Sequence, residues 1–168
     1  MKLKIIILIF LNFFFFQISI ASNIAYIDLN YIINNSNSGK IIIDKLEDIN
    51  IKNLNLLKKE QSSLNNEKTE IEKTKNILSN DELNKKINIL NDKLEKFNQK
   101  QEVMSAEFKE LRNNEIANFL KKINPIIETF MIDNKIDLIL KKESIYISKT
   151  EYDITNKLIT LINKNIDK

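Results

Sequence analysis

Two series of apolar residues at seven-residue spacing run through the middle of the chain. Leu57, Leu64, Ile71 and Leu78 form the first; Leu83, Leu90, Phe97, Met104 and Leu111 form the second. Recurrence at this spacing puts each series on one stripe of an α-helix. Between them lies Leu78-Ser79-Asn80-Asp81-Glu82. Ser79 and Glu82 have the S-x-x-E form of a capping box, in which each side chain satisfies a backbone donor of a new helix. The two series are mirror images about a point between Asn80 and Asp81. A chain that folds back there pairs Leu78 with Leu83, Ile71 with Leu90, Leu64 with Phe97 and Leu57 with Met104. The pattern predicts an antiparallel helical hairpin over 40–134, turning near 79–82. At 1.5 Å per residue, its ascending helix reaches roughly 50 Å.

A second layer of the hairpin looks uneven. Ile87, Leu94 and Phe108 widen the apolar stripe of the descending helix, but in this register they face Thr74, Glu67 and Asn53. Apolar surface left half-covered on a long arm is a candidate for contact with another chain. Ile87, Leu94 and Phe108 are the residues in this position.

The flanks read differently. Residues 24–29 (IAYIDL) are β-prone and predict a strand, and 34–39 (NNSNSG) predict a turn before a helix beginning near Lys40. Beyond Ile116 the stripe shifts phase through Phe119, Leu120, Ile123, Ile127 and Phe130, with a kink expected at Pro125. Two short β-prone runs, 136–140 and 145–148, joined by 141–144, predict a β-hairpin. A final amphipathic helix starts at Asp153 and Thr155, with Leu158, Leu161 and Ile162 facing inward. The fold class is α+β, mostly α: a coiled-coil arm on a small β-body built from 22–39 and 135–168. Three strands are marginal alone and leave edges open, so self-association is expected.

The N-terminus has the form of an export signal. Lys2 and Lys4 precede an apolar run over 5–16, and Ser19 and Ala21 are the small residues of a cleavage site after Ala21. Residues 1–21 are therefore set apart as a cleavable signal peptide, and a periplasmic location is expected. An uncleaved anchor is the alternative, but the run is short for a membrane span.

Composition removes most chemistry. Without Lys2 and Lys4, 24 basic residues stand against 23 acidic ones, too balanced to favour nucleic acid or more than peripheral contact with an anionic membrane. The absence of His and Cys takes away the commonest general base, metal ligands and thiol nucleophile. Asp44, Glu47 and Asp48, or Glu67 and Glu70, are better read as solvated helix faces than as ion sites. No cofactor and no catalytic residue is expected. One Gly and one Pro leave little turn chemistry, consistent with a few long elements.

The stretch 24–40 (IAYIDLNYIINNSNSGK) resembles the opening of the OmpH/Skp family of periplasmic chaperones, where a strand, a short helix and a small-residue turn lead into an arm. Asp137-Leu138-Ile139-Leu140, Ile145-Tyr146 and Tyr152-Asp153-Ile154-Thr155 are similar to that family's C-terminal pattern. The resemblance implies a homotrimer whose β-body includes Ile24, Tyr26, Ile27, Asp137 and Ile139. It also implies that the arms hold unfolded outer-membrane proteins without ATP, with Ile87, Leu94, Phe97 and Phe108 as candidates for the client-facing surface. Strong basic charge, typical of the family, is not found here, which weakens any carry-over of lipopolysaccharide binding or electrostatic capture of clients. A structural coiled-coil spacer or assembly factor of the envelope is the competing reading.

Overall fold

In the computed structural model, which describes residues 23–166, strand β1 (Ile24–Ile27) starts the fold. The predicted signal segment, residues 1–21, lies outside the described residues. Asp28 ends the strand and caps helix α1 (Leu29–Asn35), its carboxylate accepting the Tyr31 N–H at 2.8 Å. A single residue, Ser36, then separates α1 from the 38-residue helix α2 (Asn37–Thr74). Ser36 is wholly buried and serves both helices. Its N–H donates to the Ile32 carbonyl at 2.9 Å, and its Oγ accepts the Gly39 N–H at 3.2 Å. The turn expected over 34–39 is thus much tighter than its composition suggested. Only Ser36 caps here; Asn34 and Asn35 end α1, and Asn37 and Ser38 already begin α2.

Residues 75–79 reverse the chain, and helix α3 (Asn80–Asp133) returns for 54 residues. The capping box forms as predicted: Ser79 Oγ accepts the Glu82 N–H at 3.3 Å, and Glu82 Oε2 accepts the Ser79 N–H at 3.2 Å. Pro125 lies inside α3, which resumes its pattern on both sides of it. The helix stops in a Schellman motif, with the Ile136 N–H on the Met131 carbonyl and the Lys135 N–H on the Ile132 carbonyl. Lys135 takes the left-handed conformation this requires, at φ 54°.

The predicted C-terminal hairpin is not formed. Strand β2 (Leu138–Lys141) pairs instead with β1, in parallel, with Ile24 opposite Leu138 and Ile27 opposite Lys141. Parallel strands need a long crossover, and the whole arm is that crossover. Residues 145–148, the expected partner of β2, form no strand in this chain; short 3₁₀ turns occupy 142–144 and 150–152. Instead Asp153 bridges the other side of β1 at Tyr26. The sheet is therefore two strands plus one bridge, not three strands.

Helix α4 (Thr155–Ile166) closes the body. Leu158 and Ile162 are fully buried as predicted, against Ile27, Ile32, Ile33, Phe119 and Ile123. Phe119 and Ile123 come from α3, and half-buried Ile42 and Ile43 from α2 pack beside them. The base of the arm is part of the body core, which fixes where the arm departs.

Candidate functional site

The arm is the largest surface the fold offers, and its seam explains how it holds together. Leu64, Ile71, Leu90 and Phe97 are buried together, with Leu57, Leu83 and Leu94 packed against them. Phe97 is only 3% exposed. It belongs to the hairpin seam and, with the arm closed, has no face to offer another chain; its candidacy as a contact residue is corrected accordingly. Leu78 and Met104 are half-buried and stand outside this cluster. Leu78 follows the end of α2 at Thr74, so the turn carries it off the helical stripe.

The seam's second layer is closed by charge. Lys93 Nζ lies 2.7 Å from Glu67 Oε1, and Lys100 Nζ lies 2.5 Å from Glu60 Oε2. Near the body the polarity reverses, and Lys45 Nζ lies 2.6 Å from Glu115 Oε1. All three pairs are mirror-related about Asn80, half a residue from the point relating Leu64 to Phe97. Apolar and ionic rungs therefore alternate from Ile71–Leu90 down to Glu60–Lys100. Partly exposed pairs of this kind are each worth about 0–1 kcal/mol, so they specify register more than they add stability. Leu94, expected to be left against a bare Glu67, is half-buried because that carboxylate is taken up by Lys93. The heptad spacing of Glu60 with Glu67 and of Lys93 with Lys100 was the signal for these rungs.

Exposed apolar residues lie mostly elsewhere than predicted. Ile87 is exposed and Phe108 half-buried, but Ile51, Leu54, Leu56, Ile89 and Val103 are exposed as well. Most of them fall in the middle of the arm, on both helices. At the tip, Ile77 is 82% exposed beside the capping box. There the Ser79 hydroxyl, followed by its N–H, holds the Glu82 carboxyl below its ordinary value.

The body presents a second surface. A cleft of about 910 Å³ is lined by Ile24, Tyr26, Asp137, Leu140, Ile145 and Ile147, among others. Of the residues expected there, Ile24 and Asp137 are exposed, Ile139 is half-buried, and Tyr26 and Ile27 are buried. The Asp137 N–H donates to the Asn23 carbonyl at 2.9 Å, while its Oδ2 accepts the Asn23 N–H at 2.8 Å. Tyr146 and Ile147 stand almost wholly in solvent beside this cleft. Asp28 ties it to the core: its Oδ2 pairs with Lys142 Nζ at 3.0 Å, and its N–H donates to Thr155 Oγ1 at 3.0 Å. Among the described residues no acidic group of three or more is placed to hold a metal ion, and no helix is long and apolar enough to cross a membrane.

A helical hairpin rising from a small α/β body, with apolar residues spread along the arm, defines a helical-arm architecture. The comparisons with known proteins agree. The sequence model described as "Outer membrane protein (OmpH-like)" matches residues 23–162, and the chain belongs to that family. Among solved structures it is similar to an OmpH-like outer membrane chaperone of Caulobacter crescentus. The TM-score is 0.74 at 18% identity, over 92% of this chain and 93% of that one. No curated protein is significantly similar to the chain in sequence. The family supports a chaperone role.

Proposed function

We propose that the protein is an ATP-independent holding chaperone of the periplasm that binds unfolded outer-membrane β-barrel proteins and keeps them from aggregating. The observation that carries this reading is the set of exposed apolar side chains along the arm, Ile51, Leu54, Leu56, Ile87 and Val103, on a chain of this family. Each offers a weak contact with an extended apolar segment. Several engaged at once sum to useful retention while each is released easily. Release needs no nucleotide, since a client that folds elsewhere withdraws its apolar surface. Nothing in this mechanism calls on an enzyme.

Several copies would act together. The free edge of β2 and the exposed 145–148 segment suit pairing with neighbouring chains, in a homotrimer whose arms surround the client. The test is suppression of aggregation when a urea-unfolded outer-membrane barrel is diluted into the mature protein, residues 22–168. Aggregation should fall as the chaperone approaches one trimer per client. Equal aggregation with and without the protein overturns the reading. Light scattering of the same sample should give the mass of three chains, and a monomer would remove the enclosing mechanism.

A further inference from the structure

The segment that follows β2 is held at both ends and free between them. At its start, Lys142 Nζ reaches the Asp28 carboxylate at 3.0 Å, and the Asn30 side-chain amide donates to Glu143 Oε1 at 3.2 Å. At its end, the Ile154 N–H donates to the Tyr26 carbonyl at 3.1 Å, and Thr155 Oγ1 accepts the Asp28 N–H at 3.0 Å. Asp28 therefore anchors both ends, one through its side chain and the other through its backbone. Between these anchors, among the described residues, Tyr146, Ile147 and Ser148 make no hydrogen bond to any other part of the chain.

A β-prone run whose backbone bonds only to water, with Tyr146 and Ile147 in solvent, lacks what such residues usually pack against. Strand β2 likewise has one edge with no strand beside it. Both needs are met together when the run lies against another copy of the chain. How readily copies meet depends on the shape of the run beforehand. A loop let go at 142–143 samples many shapes, and the apparent affinity falls with the fraction that a second copy accepts. Tied at both ends, the run stays near one shape.

We infer that Asp28, Asn30, Lys142 and Glu143 form an assembly latch, which holds 145–148 in the arrangement that a second copy of the chain binds. The inference rests on the self-association proposed above. Neither tie is strong by itself, because the side chains are partly exposed. Symmetry multiplies them. If losing both ties lowers the held population about fivefold in each chain, three chains lose about a hundredfold in their association constant. The concentration at which half the chains are assembled then rises about tenfold. Lys142 and Glu143 are exposed and take no part in the core, so their removal spares the body.

The test is a dilution series of the mature protein, residues 22–168, followed by light scattering and, at lower concentration, by mass photometry. Lys142→Ala with Glu143→Ala should raise the midpoint of assembly about tenfold, and Lys142→Ala alone about threefold. Lys142→Arg keeps the charge and should keep the native midpoint. Lys149→Ala with Glu151→Ala removes an ion pair that stays within the segment, and should leave the midpoint where it is. Hydrogen exchange around Ile32 and Leu158, measured below the native midpoint, should be the same in all these variants. A midpoint shift that comes with lost protection there makes the ties structural and overturns the latch. Equal midpoints for the native protein and the 142–143 double variant also overturn it, while leaving self-association intact. A native protein that stays monomeric at every concentration overturns both readings.

Discussion

Gly39 lies directly against the carbonyl oxygen of Ile33, so closely that no side-chain carbon fits between them. A methyl group built on Gly39 would overlap that oxygen and come within 2.7 Å of Ser36 Oγ. The obstacle is backbone held by α1, not a mobile side chain, so it has little room to yield. Gly39→Ala should cost about 2–3 kcal/mol or more, as overpacking of a rigid corner does. Chemical denaturation of the variant checks this. A change under about 0.5 kcal/mol would mean that the corner relaxes freely.

Acid should loosen the body through Asp28. The Tyr31 N–H and then the Lys142 ammonium hold its carboxyl below the ordinary value of 3.8. A depressed folded value means stability that is fully present above 3.8 and lost as pH falls through the lowered value. The Lys142 ammonium is raised by Asp28 above its ordinary 10.5, so its share is present below that pH and lost as pH rises through the raised value. Asp28→Asn keeps the helix cap but removes the charge. Melting temperature against pH should fall less steeply below pH 4 in this variant than in the native protein.

Phe97→Ala should unfasten the arm while sparing the body. Removing a buried Phe costs about 3–5 kcal/mol where the surroundings cannot collapse, and Phe97 is central to a cluster of only four buried residues. Helical signal should drop and exchange should rise over 57–104. The amides around Ile32, Phe119 and Leu158 should keep their protection. Uniform loss across the chain would show that arm and body unfold as one.

Lys135→Gly should stabilise the protein. The left-handed backbone at Lys135 costs a residue with a side chain about 1–2 kcal/mol, part of which glycine returns through its freer unfolded state. A net gain of about 0.5–1 kcal/mol is expected from denaturant titration. A loss would imply that the lysine side chain makes a contribution the Schellman motif does not explain.

These cases show which information is local. The capping box at Ser79 and Glu82, and the heptads around it, were legible because each signal lies within one or two helical turns. The partner of β2 was not, because β1 lies a whole arm away in the chain while a β-prone run sits next door at 145–148. That neighbour misled: its alternation marks a strand-forming segment, but among the described residues it pairs with no strand. Ser36 hid a helix-to-helix corner inside a run that looked like loop, since Asn and Ser serve both turns and caps. Glu67 read as solvated surface until the fold-back register placed Lys93 opposite it. Phe97 was given two roles, and only its burial separated them.

The parallel pairing of β1 with β2 has a consequence for how the chain assembles. The N-terminal strand is synthesised first, yet its partner emerges only after more than a hundred further residues have been added. Closing so large a loop directly is slow and entropically costly. Zipping the two helices from their turn brings the strand ends together step by step, so the hairpin works as a guide for the sheet before it serves anything else. A chain truncated before Leu138 would leave β1 waiting without its strand.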